Sequence, residues 1–165
     1  MALRPVSLDS SVSAVSLHDP AFDLVGKTEI GEDGKPQPMG LAYVHKRAKN
    51  PAIWREVLTP KDGASPTEFV LGVIPATELN RAEDECGLGT MRFKSRELYW
   101  RCFLLGVRAI AGWPSKVPTK YRGEVEFVDP EWLAATFAGK LREDALDIGM
   151  QAWQWNQVAG DEVKN

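Results

Sequence analysis

Two groups of carboxylates have the residue types for chemistry in this chain. Glu83, Asp84 and Glu85 run together, and Glu143, Asp144 and Asp147 follow one another closely. Either group could supply a general acid and base, or oxygen ligands for a divalent ion. Both fall in segments of helical period, where their positions read as the outer, solvated face. The other chemistries fail on spacing. His18 and His45 stand in separate segments with no cysteine or carboxylate at metal-ligand spacing, so no metal site is expected. Gly87-Leu88-Gly89-Thr90 follows a helical segment and lacks the lysine of a phosphate loop, so it reads as a helix stop. There is no Gly-x-Ser-x-Gly elbow. Cys86 and Cys102 are too few for a disulfide framework and read as half-buried free thiols of a reducing compartment. The expectation is a protein that is not an enzyme, with no catalytic residues, no cofactor and no metal. A magnesium-dependent carboxylate enzyme is the lesser alternative.

Charge and tryptophan carry the remaining signal. From Arg92 to Arg122 eight basic residues stand against the single acid Glu97, a net +7. From Glu124 to Asp147 seven acids stand against Lys140 and Arg142, a net −5. The juxtaposition suits self-association or docking to a complementary protein, and equally suits neutralisation within the chain. Tyr99, Trp100, Trp113 and Tyr121 are interleaved with the basic residues, as in single-strand stacking, yet most sit where a helix core needs them, so nucleic acid is the minority partner. Six tryptophans are many for 165 residues, and tryptophan is enriched in binding hot spots. Trp153 and Trp155 project about 200° apart on a helix, so one core surface does not take both, which leaves one exposed or covered by a partner. The residues assigned to a partner surface are Arg96, Arg101, Arg108, Trp113, Trp153 and Trp155.

These residues need a scaffold, and the pattern predicts an α+β fold: a small antiparallel sheet with a loop-rich N-terminal arm, followed by a mainly helical half. Residues 1–40 read as the arm, with short strands at best. Residues 41–165 read as one domain, the sheet within 41–74 and the helices within 75–158. Residues 41–45 and 53–58 read as strands, and 67–74, the most apolar, as the central strand paired with 53–58. Pro75 and Thr77 open a short helix that stops at Gly87. Ser95 is the expected N-cap of a nearly all-round apolar helix reaching Ala111, with Gly112 as its stop. A linker follows from Trp113 to Pro118, and residues 123–128 are extended. Asp129-Pro130-Glu131 starts a helix ending at Gly139. A last helix over 141–158 spaces Leu141, Ala145, Ile148, Ala152 and Trp155 at 4, 3, 4 and 3, a packing seam, with Leu146, Met150 and Trp153 as a second stripe.

Composition is that of a globular chain, 44% hydrophobic and 26% charged with a net charge of −3, which sets aside collagenous, disordered and coiled-coil classes. The N-terminus lacks the apolar core of a signal peptide, and no apolar run reaches the roughly 20 residues that span a bilayer. The expected setting is intracellular, away from the membrane.

The run WRCFLLGVRAIAGW from Trp100 to Trp113 precedes a proline-bearing linker and then VDPEWLAATFAGKLREDALDIGMQAWQWNQV. Together with the preceding PTEFVLGVIPATELNRAEDEC, this succession resembles the tail-assembly-chaperone type of small protein of tailed bacteriophages, over about residues 50 to 158. The resemblance rests on a pattern of elements. The arm of residues 1–40 departs from it and looks more like the extended arms of capsid, connector and decoration proteins. The resemblance implies a morphogenesis or structural protein that binds other phage proteins and forms homo-oligomers, in the host cytoplasm during assembly or in the virion. The second reading is an inhibitor that docks on a host protein or a nucleic-acid-bound complex through residues 92–122.

Overall fold

The apolar run after Thr67 is the middle of the main sheet. In the computed structural model, which describes residues 10–21, 28–30, 34–38 and 63–164, it forms strand β4 (Glu68–Gly72). Antiparallel neighbours are β1 (Ser11–Val15) on one edge and β5 (Val107–Ala111) on the other. The α+β class holds: a small antiparallel sheet, with helices prominent in the C-terminal half. Both edges of β4 are taken by β1 and β5 in place of the pairing with 53–58. Residues 41–45 and 53–58 lie outside the described residues. Two further antiparallel pairs are present, β2 (Thr28–Ile30) with β3 (Pro36–Pro38), and β6 (Thr119–Arg122) with β7 (Val125–Val128).

Part of the expected arm belongs to the core. Ser-Val-Ser-Ala-Val alternates, so β1 sets Val12 opposite Leu71 and Ala14 opposite Phe69. Ala14, Val15, Leu17 and Ala21 are buried.

The helix expected over 95–111 is two elements. Helix α2 (Ser95–Gly106) follows α1 (Ala76–Glu85), and the chain extends into β5 at Val107. Gly106 is a weak helix former, whereas Val107 and Ile110 suit a strand. The free edge of β4 supplies the hydrogen bonds that reward the change. Arg108 therefore sits on the sheet and not on a helical stripe. Lys94, not Ser95, occupies the N-cap of α2, without a side-chain capping bond. Gly112 has a positive φ, as a stop requires, but it ends the strand.

Other boundaries match the reading. Gly87 takes a positive φ just beyond α1. Asp129 caps α3 (Pro130–Phe137), its Oδ1 accepting from the Glu131 N–H at 3.0 Å. Gly123 and Glu124, expected to be extended, instead form the turn of the β6–β7 hairpin: Gly123 has a φ of 64° and Glu124 does not share the positive φ, as a type II′ turn requires.

Helix α4 (Arg142–Lys164) packs along α2 over one face of the sheet, and Ala145, Ile148 and Ala152 of the expected seam are fully buried. Gly149 sits where the helices are closest, since a Cβ there would overlap the Tyr99 carbonyl. Beneath the seam, Phe69, Phe103 and Phe137 meet edge to face, with centroids 5.0 to 6.1 Å apart.

The buried side of α4 also carries polar groups, and Asp147 is one of them, contrary to its reading as solvated. It is 5% exposed and accepts the Leu17 N–H at 2.8 Å. Gln151 donates to the Val15 carbonyl at 2.9 Å. Asn156 accepts the Ile74 N–H at 2.8 Å and donates to the Ala152 carbonyl at the same distance. Leu17 and Ile74 lie just past the ends of β1 and β4, where ladder partners run out and a buried N–H needs another acceptor. Among the described residues no helix is long and apolar enough to cross a membrane.

Candidate partner-binding site

Helix α3 is short, but its cap fixes its direction and so decides which rings reach the surface. Leu133 and Phe137, four apart, point into the core and are buried. Trp132 sits at the flank of that stripe and is half-buried. Trp113, just after β5, lies on the same spot, 5.8 Å from Trp132 and 5.5 Å from Phe137 between centroids. Phe137 touches Phe103 at 5.0 Å, and Phe103 touches Trp100 of α2 at 6.0 Å. The Arg142 guanidinium lies 4.9 Å above the Trp100 ring. The outcome is a band of rings from Trp100 to Trp132, rooted in the core through two phenylalanines, with its three indoles partly buried against it and partly exposed.

Of the residues assigned to a partner surface, only Trp113 belongs to this band. Trp153 meets Tyr99 at 6.1 Å on the α2–α4 seam, and no partner for its Nε1 occurs among the described residues. Trp155 is half-buried as well, so the pair is shared between two partly covered surfaces. Trp100 and Trp132 were not assigned. Their signal was the position of Trp132 next to Leu133, at the margin of a buried stripe.

The three arginines are not brought together, and each is engaged. Arg96 pairs with Glu143 of α4 at 2.6 Å, which holds its guanidinium proton more tightly and the Glu143 carboxyl below the usual range. Arg101 pairs with Glu85 of α1 and reaches Glu97 at 3.3 Å, and the Glu85 bond raises its pKa. Arg108 reaches from β5 across Gly72 of β4, where its guanidinium fills the space a Cβ would take. Lys120 meets Asp129 at 3.5 Å, and Arg122 meets Glu78 at 3.1 Å while lying 4.9 Å over the Phe127 ring. Much of the charge in the 92–122 segment is thus neutralised within the fold.

The groups first considered for chemistry are dispersed. Asp84 and Glu85 are exposed, and Glu83 is half-buried. Burial pushes the Asp144 carboxyl up, opposed by the Ser16 hydroxyl and His18. Cys86 and Cys102 are free thiols, as expected, but fully buried and not half-buried, and burial drives Cys102 up to about 12. Among the described residues no three His, Cys, Asp or Glu side chains are arranged to hold a metal ion. The chain matches no protein-family model, no curated protein and no solved structure.

Proposed function

We propose that this is a non-enzymatic bacteriophage morphogenesis or structural protein that works by binding other phage proteins, either as a tail-assembly-chaperone-like factor or as a head, connector or tail component. The observation that carries the binding part is the partly exposed band of Trp100, Trp113 and Trp132 on Phe137. Rigid aromatic rings backed by a core lose little entropy on contact, and such positions dominate binding energy. The phage setting rests on the succession of elements in the sequence. The band is a better partner surface than the basic segment, whose arginines already hold Glu143, Glu85 and Glu78.

The test begins with light scattering behind a sizing column at two salt concentrations, where a ring or larger assembly supports a virion component. The tagged protein is then recovered from phage-infected cells and its companions identified. A phage head or tail protein should co-purify, and Trp113→Ala with Trp132→Ala should lose it. A compact monomer that recovers no phage protein overturns the reading.

A further inference from the structure

Between α1, the second half of α2 and the start of α3 lies a cleft of about 340 Å³, lined by Glu78, Arg81, Ala82, Arg101, Leu104, Leu105 and Pro130. That volume is at the lower end of ligand clefts, roughly 300 to 1,000 Å³. Its floor is apolar, made by Ala82, Leu104, Leu105 and Pro130, and its rim is charged. Two of the rim charges are already neutralised and held in place: Glu78 by Arg122 of the hairpin, and Arg101 by Glu85 and Glu97. Arg81 is exposed and has no acidic partner among the described residues. The walls come from helices anchored in the core through Leu79, Ala82 and Leu98, so the cleft is preformed.

An apolar floor with one surplus guanidinium at its rim defines a complementary ligand: an apolar side chain with a carboxylate beside it. We propose that this cleft docks a short acidic-apolar polypeptide segment of a partner protein, the apolar side chain resting on Leu104 and Leu105 and the carboxylate meeting Arg81. This rests on the protein-binding reading and adds the chemistry of what is bound. The guanidinium fork donates two parallel hydrogen bonds to a carboxylate, giving specificity that an apolar floor alone lacks.

The experiment titrates the isotopically labelled full chain with two blocked tetrapeptides, acetyl-Ala-Phe-Asp-Ala-amide and its Asn counterpart, and follows backbone amide shifts. The Asp peptide should give saturable shifts at Ala82, Leu104 and Leu105 and bind at least about tenfold more tightly than the Asn peptide, a difference of about 1.4 kcal/mol. Arg81→Gln should abolish that preference, and the exposed control Lys140→Gln should keep it. The proposal is overturned if those amides do not saturate, if the two peptides bind alike, or if Arg81→Gln retains the preference. If free 3-phenylpropionate binds more tightly than the Asp peptide, the cleft is a small-acid site and the polypeptide assignment falls. None of these failures touches the recovery of phage proteins, so the broader reading is judged separately.

Discussion

The α2–α4 seam and the basic side chains between Arg92 and Arg122 hold the molecule together by opposite means. The seam is buried and set by shape, with Gly149 against the Tyr99 backbone and Ala152 against Gly106. On the sheet side of α4, Asp147, Gln151 and Asn156 are buried and each reaches a backbone atom in or just past β1 and β4, while Gln151 Oε1 has no hydrogen-bond partner among the described residues. The basic side chains instead meet their partners in ion pairs at the surface, such as Arg96 with Glu143. A buried fit is lost all at once when one atom is added, whereas an exposed pair is weak and replaceable. Stability therefore resides in the seam.

The sharpest break of this contrast is Gly149→Val, which drives side-chain atoms into the Tyr99 carbonyl and should cost about 3 kcal/mol or more, or prevent folding. Urea unfolding reads the loss, and a wild-type midpoint would refute close packing at the seam. Next, Asn156→Leu leaves the buried Ile74 N–H without its acceptor and should lower stability by about 2 kcal/mol on the same assay.

A pH series sharpens the comparison further. An unfolded Cys102 thiol ionises near 9.0, and the folded one at about 12. Between those values the unfolded chain releases a proton that the native state keeps. This contribution makes stability fall as pH rises through the window, by up to about 1.4 kcal/mol per pH unit. Cys102→Ala should flatten that slope, as urea midpoints at both ends of the window would show. The smallest effect is expected for Glu78→Gln, which breaks a half-buried pair with Arg122 and should shift stability by about 1 kcal/mol or less. A shift comparable to that of Asn156→Leu would erase the distinction between the two regions.

Local signals reached the sequence reading, and partners distant along the chain did not. Asp129-Pro130-Glu131 announced α3 because capping involves adjacent residues, and Ala145, Ile148 and Ala152 announced the seam through their period. Val107–Ala111 continued the apolar character of α2, and only the open edge of β4 makes it a strand. Asp147 looked solvated because its acceptor role is set by Leu17, 130 residues away. The basic segment looked like a patch because Glu143, Glu85 and Glu78 lie outside it in sequence but beside it in space. Of the aromatic band, Trp113 was found by residue type alone, while Trp100 and Trp132 join it through Phe103 and Phe137.

The bonds from α4 to the end of β1 also set a schedule for synthesis. Leu17 waits for Asp147 and Val15 for Gln151, separations of 130 and 136 residues. At about 5 to 20 residues per second, a ribosome leaves those strand-end groups unsealed for on the order of ten seconds. The nascent chain must pass through that interval with Val15 and Leu17 uncovered by α4.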